Sequence, residues 1–197
     1  MKSTILSFIV CMLIFTSCNH KAKPLTISSK DKVSIDLNSV GVNTAEMQKK
    51  MDELKKLTPL TTDQLKAMVP GELLGIKRSG LNANNMAGFS ATEATYSDSS
   101  SDKRIDLSIF DCAGEAGAGV YSLSYLTKMN MESQTDNGYS KTIDFNGQKA
   151  VESYDKGIDR YELNYIASDR LLITIKVEKL GLDAIKQIAN SLNLKTN

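Results

Sequence analysis

The spacing of apolar residues changes along the chain, and each change predicts an element. An apolar run from Ile5 to Phe15, broken only by Ser7, follows the single basic residue Lys2. It is shorter than the roughly 20 residues a helix needs to cross a bilayer, and has the length of a signal-peptide core. Asn19 to Val42 lacks a sustained period; rich in Lys, Ser and Asn, it reads as a tether with one short extended piece around Lys32 to Leu37. Asn43 to Leu57 has the period of a helix, with Met47, Met51 and Leu54 on one face and Asn43 and Glu46 in capping-box spacing. Glu46–Lys50 and Asp52–Lys56 stand four apart in the favourable order. Pro59 stops that helix, and a second runs from Thr62 to Val69, with Thr61 and Gln64 as its capping box and Pro70-Gly71 as its end.

Beyond Pro70 the period falls to two. Glu72–Leu81 reads as a poor strand, Phe89–Ser97 as a better one, and Ile105, Leu107 and Ile109 alternate with Arg104, Asp106 and Ser108 as a half-buried strand does. Asp98 to Asp102 forms a polar hairpin connection; it lacks the third carboxylate and the glycine of a calcium loop and reads as a solvated turn. Ala113 to Gly119 (AGEAGAG) is a glycine-rich loop leading into a helix from Val120 to Met129. Four further strands follow at Tyr139–Phe145, Lys149–Tyr154, Asp159–Ile166 and Leu171–Val177. Their links, Asn146-Gly147, Lys156-Gly157 and Ser168-Asp169, are short enough to require antiparallel neighbours. Leu182, Ile185, Ile188, Ala189 and Leu192 make a last amphipathic helix. The expected fold is therefore one α+β domain over residues 43–197: a single antiparallel sheet of about seven strands with helices packed on it.

Composition narrows the function. A net charge of +1 with no basic stripe argues against nucleic acid as a partner. The single histidine, His20, falls in the tether, where no fold can fix its geometry, so Ser-His-Asp and Cys-His mechanisms are excluded. With one cysteine and no histidine in the body, a zinc site lacks its ligands, and neither metal nor other cofactor is expected. Of the three cysteines, Cys11 lies in the apolar run and Cys18 at its end, so Cys112 has no disulfide partner and reads as a small buried residue at a strand end.

Phe15-Thr16-Ser17-Cys18, after a short apolar core, resembles the lipobox of bacterial lipoproteins, although Phe15 stands where leucine is usual. The resemblance covers eighteen residues. It implies removal of residues 1–17 as a signal peptide, acylation of Cys18, and residues 18–42 as a lipidated tether; an ordinary secretory signal is the plainer alternative. Loss of Lys2 would leave basic and acidic side chains balanced at 23 each, so lipid and not charge would hold the chain to its membrane. Asn19 is not the aspartate of inner-membrane retention, and NHKAKP lacks the acidic cluster of surface export, so the lipoprotein resemblance implies the periplasmic face of an outer membrane. From Pro70 to Leu194 the element order is similar to the PsbP-like α/β/α sandwiches, a family of accessory and assembly proteins; it carries no site residue across. The DCAGEAGAG stretch also resembles one found in uncharacterised Gram-negative lipoproteins, which brings no mechanism.

Other candidate chemistry is thin. The AGEAGAG stretch has the order GxxGxG without a following Lys-Ser/Thr, and Asp111 and Glu115 beside it would repel phosphate. Asp111 and Glu115 are also the nearest approach to a carboxylate pair. Met129-Asn130-Met131, with Met47 and Met51, raises Cu(I) binding, against which core and helix-end packing is the simpler account. The seven tyrosines, Tyr96, Tyr121, Tyr125, Tyr139, Tyr154, Tyr161 and Tyr165, suit either a contact surface for protein or glycan or the margin of a sheet. The expectation is a membrane-anchored, non-enzymatic accessory that binds an envelope protein; the alternative is a carrier holding an apolar ligand or lipid between sheet and helices.

Overall fold

The structure is a computed structural model that describes residues 44–86, 88–124 and 130–196. The expected signal peptide, the tether with Cys18 and His20, the Asn43 cap, Tyr125 and Met129 lie outside the described residues. Two helices come first, α1 (Thr44–Lys55) and α2 (Thr62–Ala67), then strands β1 (Glu72–Leu73), β2 (Ile76–Met86), β3 (Phe89–Ser97) and β4 (Arg104–Asp111). Helix α3 (Gly114–Ser124) leads to β5 (Glu132–Thr135), β6 (Gly138–Phe145), β7 (Gln148–Asp155), β8 (Arg160–Ala167) and β9 (Leu171–Glu178), and α4 (Leu182–Ser191) closes the fold. The strands form one open antiparallel sheet in the order β1-β2-β3-β4-β9-β8-β7-β6-β5. It consists of two meanders, β1–β4 and β5–β9, joined where β4 pairs with β9.

The two faces differ because the strands alternate. On one face Ile105, Leu107 and Ile109 of β4, Ile173 and Ile175 of β9 and Leu163 of β8 meet Leu65 of α2 and Ile185 and Ile188 of α4 in the main core. Each such fully buried side chain contributes about 1.5–3 kcal/mol. On the other face only one end is apolar: Phe110, Leu172 and Ile166 pack with Cys112 and with Met47, Met51 and Leu54 of α1 and Ala118 and Tyr121 of α3. The rest of that face is polar. Register sets Asp106 beside Lys176, Ser108 beside Thr174, Glu162 beside Lys176 and Asn164 beside Thr174.

The expected α+β domain with about seven strands is corrected by these features. The described residues form a predominantly β fold, nine strands in one sheet with four short helices, and the partly bare polar face rules out the helix-covered α/β/α sandwich. Two strands escaped the pattern. The stretch Glu72–Leu81 splits at Leu74 (φ 51°) and Gly75 (φ 80°), a two-residue turn with both residues left-handed, so a hairpin stands where one poor strand was expected. Strand β5 has no apolar alternation, since all four of its residues are exposed.

A second correction concerns AGEAGAG. It is the first half of α3, which begins at Gly114, and no loop separates it from the helix. The small residues serve close packing, as expected. A Cβ on Gly117 would lie 2.7 Å from the Cys112 carbonyl carbon and 2.8 Å from the Asp111 oxygen, so only glycine lets α3 lie against the end of β4. The Thr61–Gln64 capping box forms as expected, with Thr61 N–H donating to Gln64 Oε1 at 2.9 Å and Gln64 N–H to Thr61 Oγ1 at 3.3 Å.

Candidate functional site

The feature that distinguishes this sheet is a row of tyrosines on the packed face, beyond the edge of α4. Alternation places Tyr139 and Lys141 of β6, Ala150, Glu152 and Tyr154 of β7, and Tyr161 and Leu163 of β8 on the same side. Register then aligns Tyr139 with Tyr154 and Tyr154 with Tyr161. The Tyr154 and Tyr161 rings stack with centroids 4.4 Å apart, and Tyr139 stands 6.1 Å from Tyr154 at a tilt of 40°. The Lys141 ammonium lies 4.9 Å from the Tyr139 ring centre. All three tyrosines are half-buried.

Below the row, Glu152 is 2% exposed. Tyr139 O–H donates to its Oε1 at 2.9 Å, Lys141 Nζ lies 3.5 Å from that oxygen, and Lys186 of α4 lies 3.8 Å from Oε2. Tyr154 O–H donates to Asp159 at 3.2 Å. Burial first, and then the bond and charge of Glu152, push the Tyr139 phenol well above its ordinary range. Burial and then Asp159 raise Tyr154 as well. Both phenols are therefore held protonated at neutral pH, fixed as hydrogen-bond donors and not activated as bases. Tyr161 stacks on one face of Tyr154, while Tyr139 stands tilted beside it at 6.1 Å, and Tyr139 and Tyr154 both line a shallow open depression with Ser133, Thr135 and Asn137. The row offers ring edges and rigid aromatic area, as protein contact surfaces do.

The polar face carries a second candidate, a depression of about 480 Å³ lined by Glu93, Thr95, Arg104, Asp106, Arg160 and Lys176. Its charges are spent on one another. Arg104 binds Asp106 in two-pronged fashion at 2.7 and 2.8 Å, Arg160 binds Glu178, and Lys176 lies 3.6 Å from Glu162. Burial opposes the Asp106 charge, but the bonds from Arg104 and Thr95 outweigh it and hold the carboxyl below its ordinary range. Arg104, Arg160 and Lys176 are each matched to an acid, and Glu93 adds a further carboxylate, so the depression has no cation to spare for an anion.

The residues picked from sequence are dispersed. Asp111 is fully buried, bound by Arg170 at 2.6 and 2.8 Å and by the Leu60 and Ala113 N–H groups, whereas Glu115 is on the surface 3.8 Å from Lys55. They form no carboxylate pair. Cys112 is buried, and burial first and then the Asp111 charge push its thiol up to about 12, so it is inert at neutral pH. Met47 and Met51 are partly buried and pack against the second core, and Met131 is exposed. Among the described residues no three His, Cys, Asp or Glu side chains gather as a metal site. Asp98 accepts from Ser100 in a solvated turn. Of the tyrosines, Tyr96 and Tyr165 belong to the core, and Tyr139, Tyr154 and Tyr161 make the row. Period two puts Tyr139 with Ile143 and Phe145, and Tyr161 with Leu163 and Tyr165, but it assigns no face to Tyr154 and does not display the register that aligns the three. Glu152 gave no signal, because an acid within an alternating strand looks like a solvent position.

The class defined by these features is an open antiparallel sheet, packed by α2 and α4 on one face and by α1 and α3 over one end of the other, and bearing a rigid aromatic row. Comparison with protein-family models, with curated proteins and with solved structures finds no match to the chain.

Proposed function

We propose that this protein is an envelope lipoprotein that works as a non-enzymatic accessory, docking an envelope protein through the Tyr139–Tyr154–Tyr161 row. The observation that carries the reading is that row: pre-ordered aromatic area, half-exposed, with the Tyr139 and Tyr154 phenols fixed by Glu152 and Asp159. Rigid tyrosines lose little conformational freedom on binding, which is why they recur at interface centres. Acylation at Cys18 would hold this surface at the periplasmic side of an outer membrane. A binding role also accords with the inert Cys112 and with the dispersal of Asp111 and Glu115.

The carrier reading has less support. The space between the sheet and helices α2 and α4 is filled by Leu65, Leu107, Leu163, Ile175, Ile185 and Ile188, all essentially without solvent exposure. Native mass spectrometry after gentle extraction separates the two readings. A co-purifying protein, lost on Tyr154→Ala while the melting temperature holds, supports docking; a co-purifying lipid supports the carrier. Labelled palmitate tests the anchor on its own: incorporation should vanish with Cys18→Ser, and a wild-type chain with a free amino terminus and no lipid would refute it.

A further inference from the structure

The two edges of the sheet are unequal. Strand β5 is four residues long and begins with Glu132, a short, charged edge of the kind that discourages pairing. Strand β2 is eleven residues long, and β1 covers only its first two, Ile76 and Lys77. Arg78 N–H still donates outward, to the Gly71 carbonyl at 2.9 Å. From Ser79 to Asn85 (SGLNANN) no described residue pairs with the outer edge of the strand. That stretch has no charged side chain and no proline. Ser79, Gly80, Leu81, Asn82, Asn84 and Asn85 are exposed, and Ala83 is half-buried. The usual protections of an edge strand, namely lysine, proline and shortness, are all missing; the register shift between Arg78 and Gly80 lies at its start and leaves the remainder regular.

We infer that the outer edge of β2 pairs with the same edge of a second copy of this chain, antiparallel about a two-fold axis through Asn82. The sequence is self-complementary there. Pairing centred on Asn82 sets Leu81 against Ala83 of the second copy on one face, so the exposed Leu81 side chain (37%) gains an apolar neighbour. On the other face Asn82 meets Asn82, and Gly80 meets Asn84. No like charges oppose one another at any of these positions, as they would across a basic or acidic edge. The main-chain N–H and C=O groups left open on both edges satisfy each other, as in strand addition generally. A two-fold axis perpendicular to the sheet keeps both copies the same way up, so both α1 helices lie on one side of the continuous sheet. This arrangement suits two chains anchored in one bilayer, although the pairing itself does not depend on an anchor.

Sedimentation velocity of the full-length chain at submillimolar concentration, in detergent density-matched to the solvent, reads the outcome. The wild type should sediment with twice the mass of one chain. Asn82→Lys, which sets two ammonium groups face to face at the axis, should halve that mass. Leu81→Lys should do the same from the other face, and Gln134→Lys on β5 should leave the mass unchanged. Thermal melts by circular dichroism verify folding; if Asn82→Lys melts early, Leu81→Lys decides. A monomeric wild type overturns the inference and leaves that edge to the chain's own tether or a foreign strand. A dimer that survives either folded lysine variant of β2 overturns it equally, since another surface would then hold the copies together.

Discussion

Two carboxylates are buried on the packed face of the sheet, and they are held in opposite ways. Asp111, at the end of β4, is enclosed by fixed partners: both prongs of Arg170 and the main-chain N–H groups of Leu60 and Ala113. Arg170 in turn donates to the Thr58 carbonyl at 2.7 Å. This knot binds the loop before α2, the end of β4 and the start of β9 into one unit. Glu152, in the middle of β7, has one strong bond, from Tyr139, and two lysines at 3.5 and 3.8 Å that reach it from exposed positions. The first carboxylate closes a joint; the second underlies a surface. A buried charge with rigid, complete partners contributes architecture, whereas one with adjustable partners leaves room for the surface above it to respond.

The largest effect should come from untying the knot. Asp111→Ala leaves the Arg170 guanidinium, only 11% exposed, without its counter-ion, and should cost about 3–5 kcal/mol in chemical denaturation. Adding Arg170→Met should restore part of that loss, because no unpaired charge then remains. A double variant as unstable as Asp111→Ala alone would mean that the main-chain bonds from Leu60 and Ala113, and not the ion pair, hold the joint.

Gly117→Ala tests the same joint without touching charge. The added methyl meets backbone atoms at 2.7 and 2.8 Å, which cannot swing aside, so α3 must lift from the end of β4. A loss of about 1–3 kcal/mol is expected, with sharper proteolysis near α3. Gly119, which has nothing within 4 Å of its would-be Cβ, is the matched control: Gly119→Ala should be neutral or slightly stabilising.

What the sequence made legible follows from the same physics. Strands β3, β4 and β9 are readable because one face is buried and the other is not, as where Ile105, Leu107 and Ile109 alternate visibly with polar neighbours. Strand β5 is not readable, since with both faces wet Glu132–Thr135 has no alternation to detect. The start of helix α3 is not legible, because glycines oppose helix in isolation and the tertiary contact that offsets them, Gly117 against the end of β4, has no local signature. The tyrosine row is partly legible: period two puts Tyr139 and Tyr161 on the apolar sides of their strands, but the face of Tyr154 and the alignment across β6, β7 and β8 come from register, which the turns set and composition does not display. In sequence Asp111 stands four residues from Glu115, yet its partner, Arg170, is 59 positions away.

Glu152→Gln should weaken the second carboxylate far less than the knot. The amide oxygen can still accept from Tyr139, and what is lost is the charge facing two half-exposed lysines, so a change of about 1 kcal/mol is expected in the same denaturation experiment. A loss as large as that of Asp111→Ala would erase the contrast between the two sites. The double cycle with Lys186→Met apportions the effect; coupling near zero is expected, given the 3.8 Å separation and the exposure of the lysine.

The smallest effect leaves stability almost unmoved and reads the surface itself. Tyr139 is raised by burial first, and further by the bond and the negative charge of Glu152. Its phenol is neutral in the protonated form, so a raised folded value means that stability from this residue is complete below the unfolded value near 10.0 and is lost as pH climbs through the folded one. Glu152→Gln removes the charge but not the burial. Ultraviolet difference titration should therefore show the Tyr139 transition, assigned by its absence in Tyr139→Phe, moving down in the variant while staying above that of a free tyrosine. Tyr165, raised by burial alone, should not move. If both transitions shift together, the substitution has loosened the whole packed face, and Glu152 would then be an architectural carboxylate like Asp111. If only Tyr139 shifts, the carboxylate controls the polarity of the row from beneath, as a docking surface with adjustable partners requires.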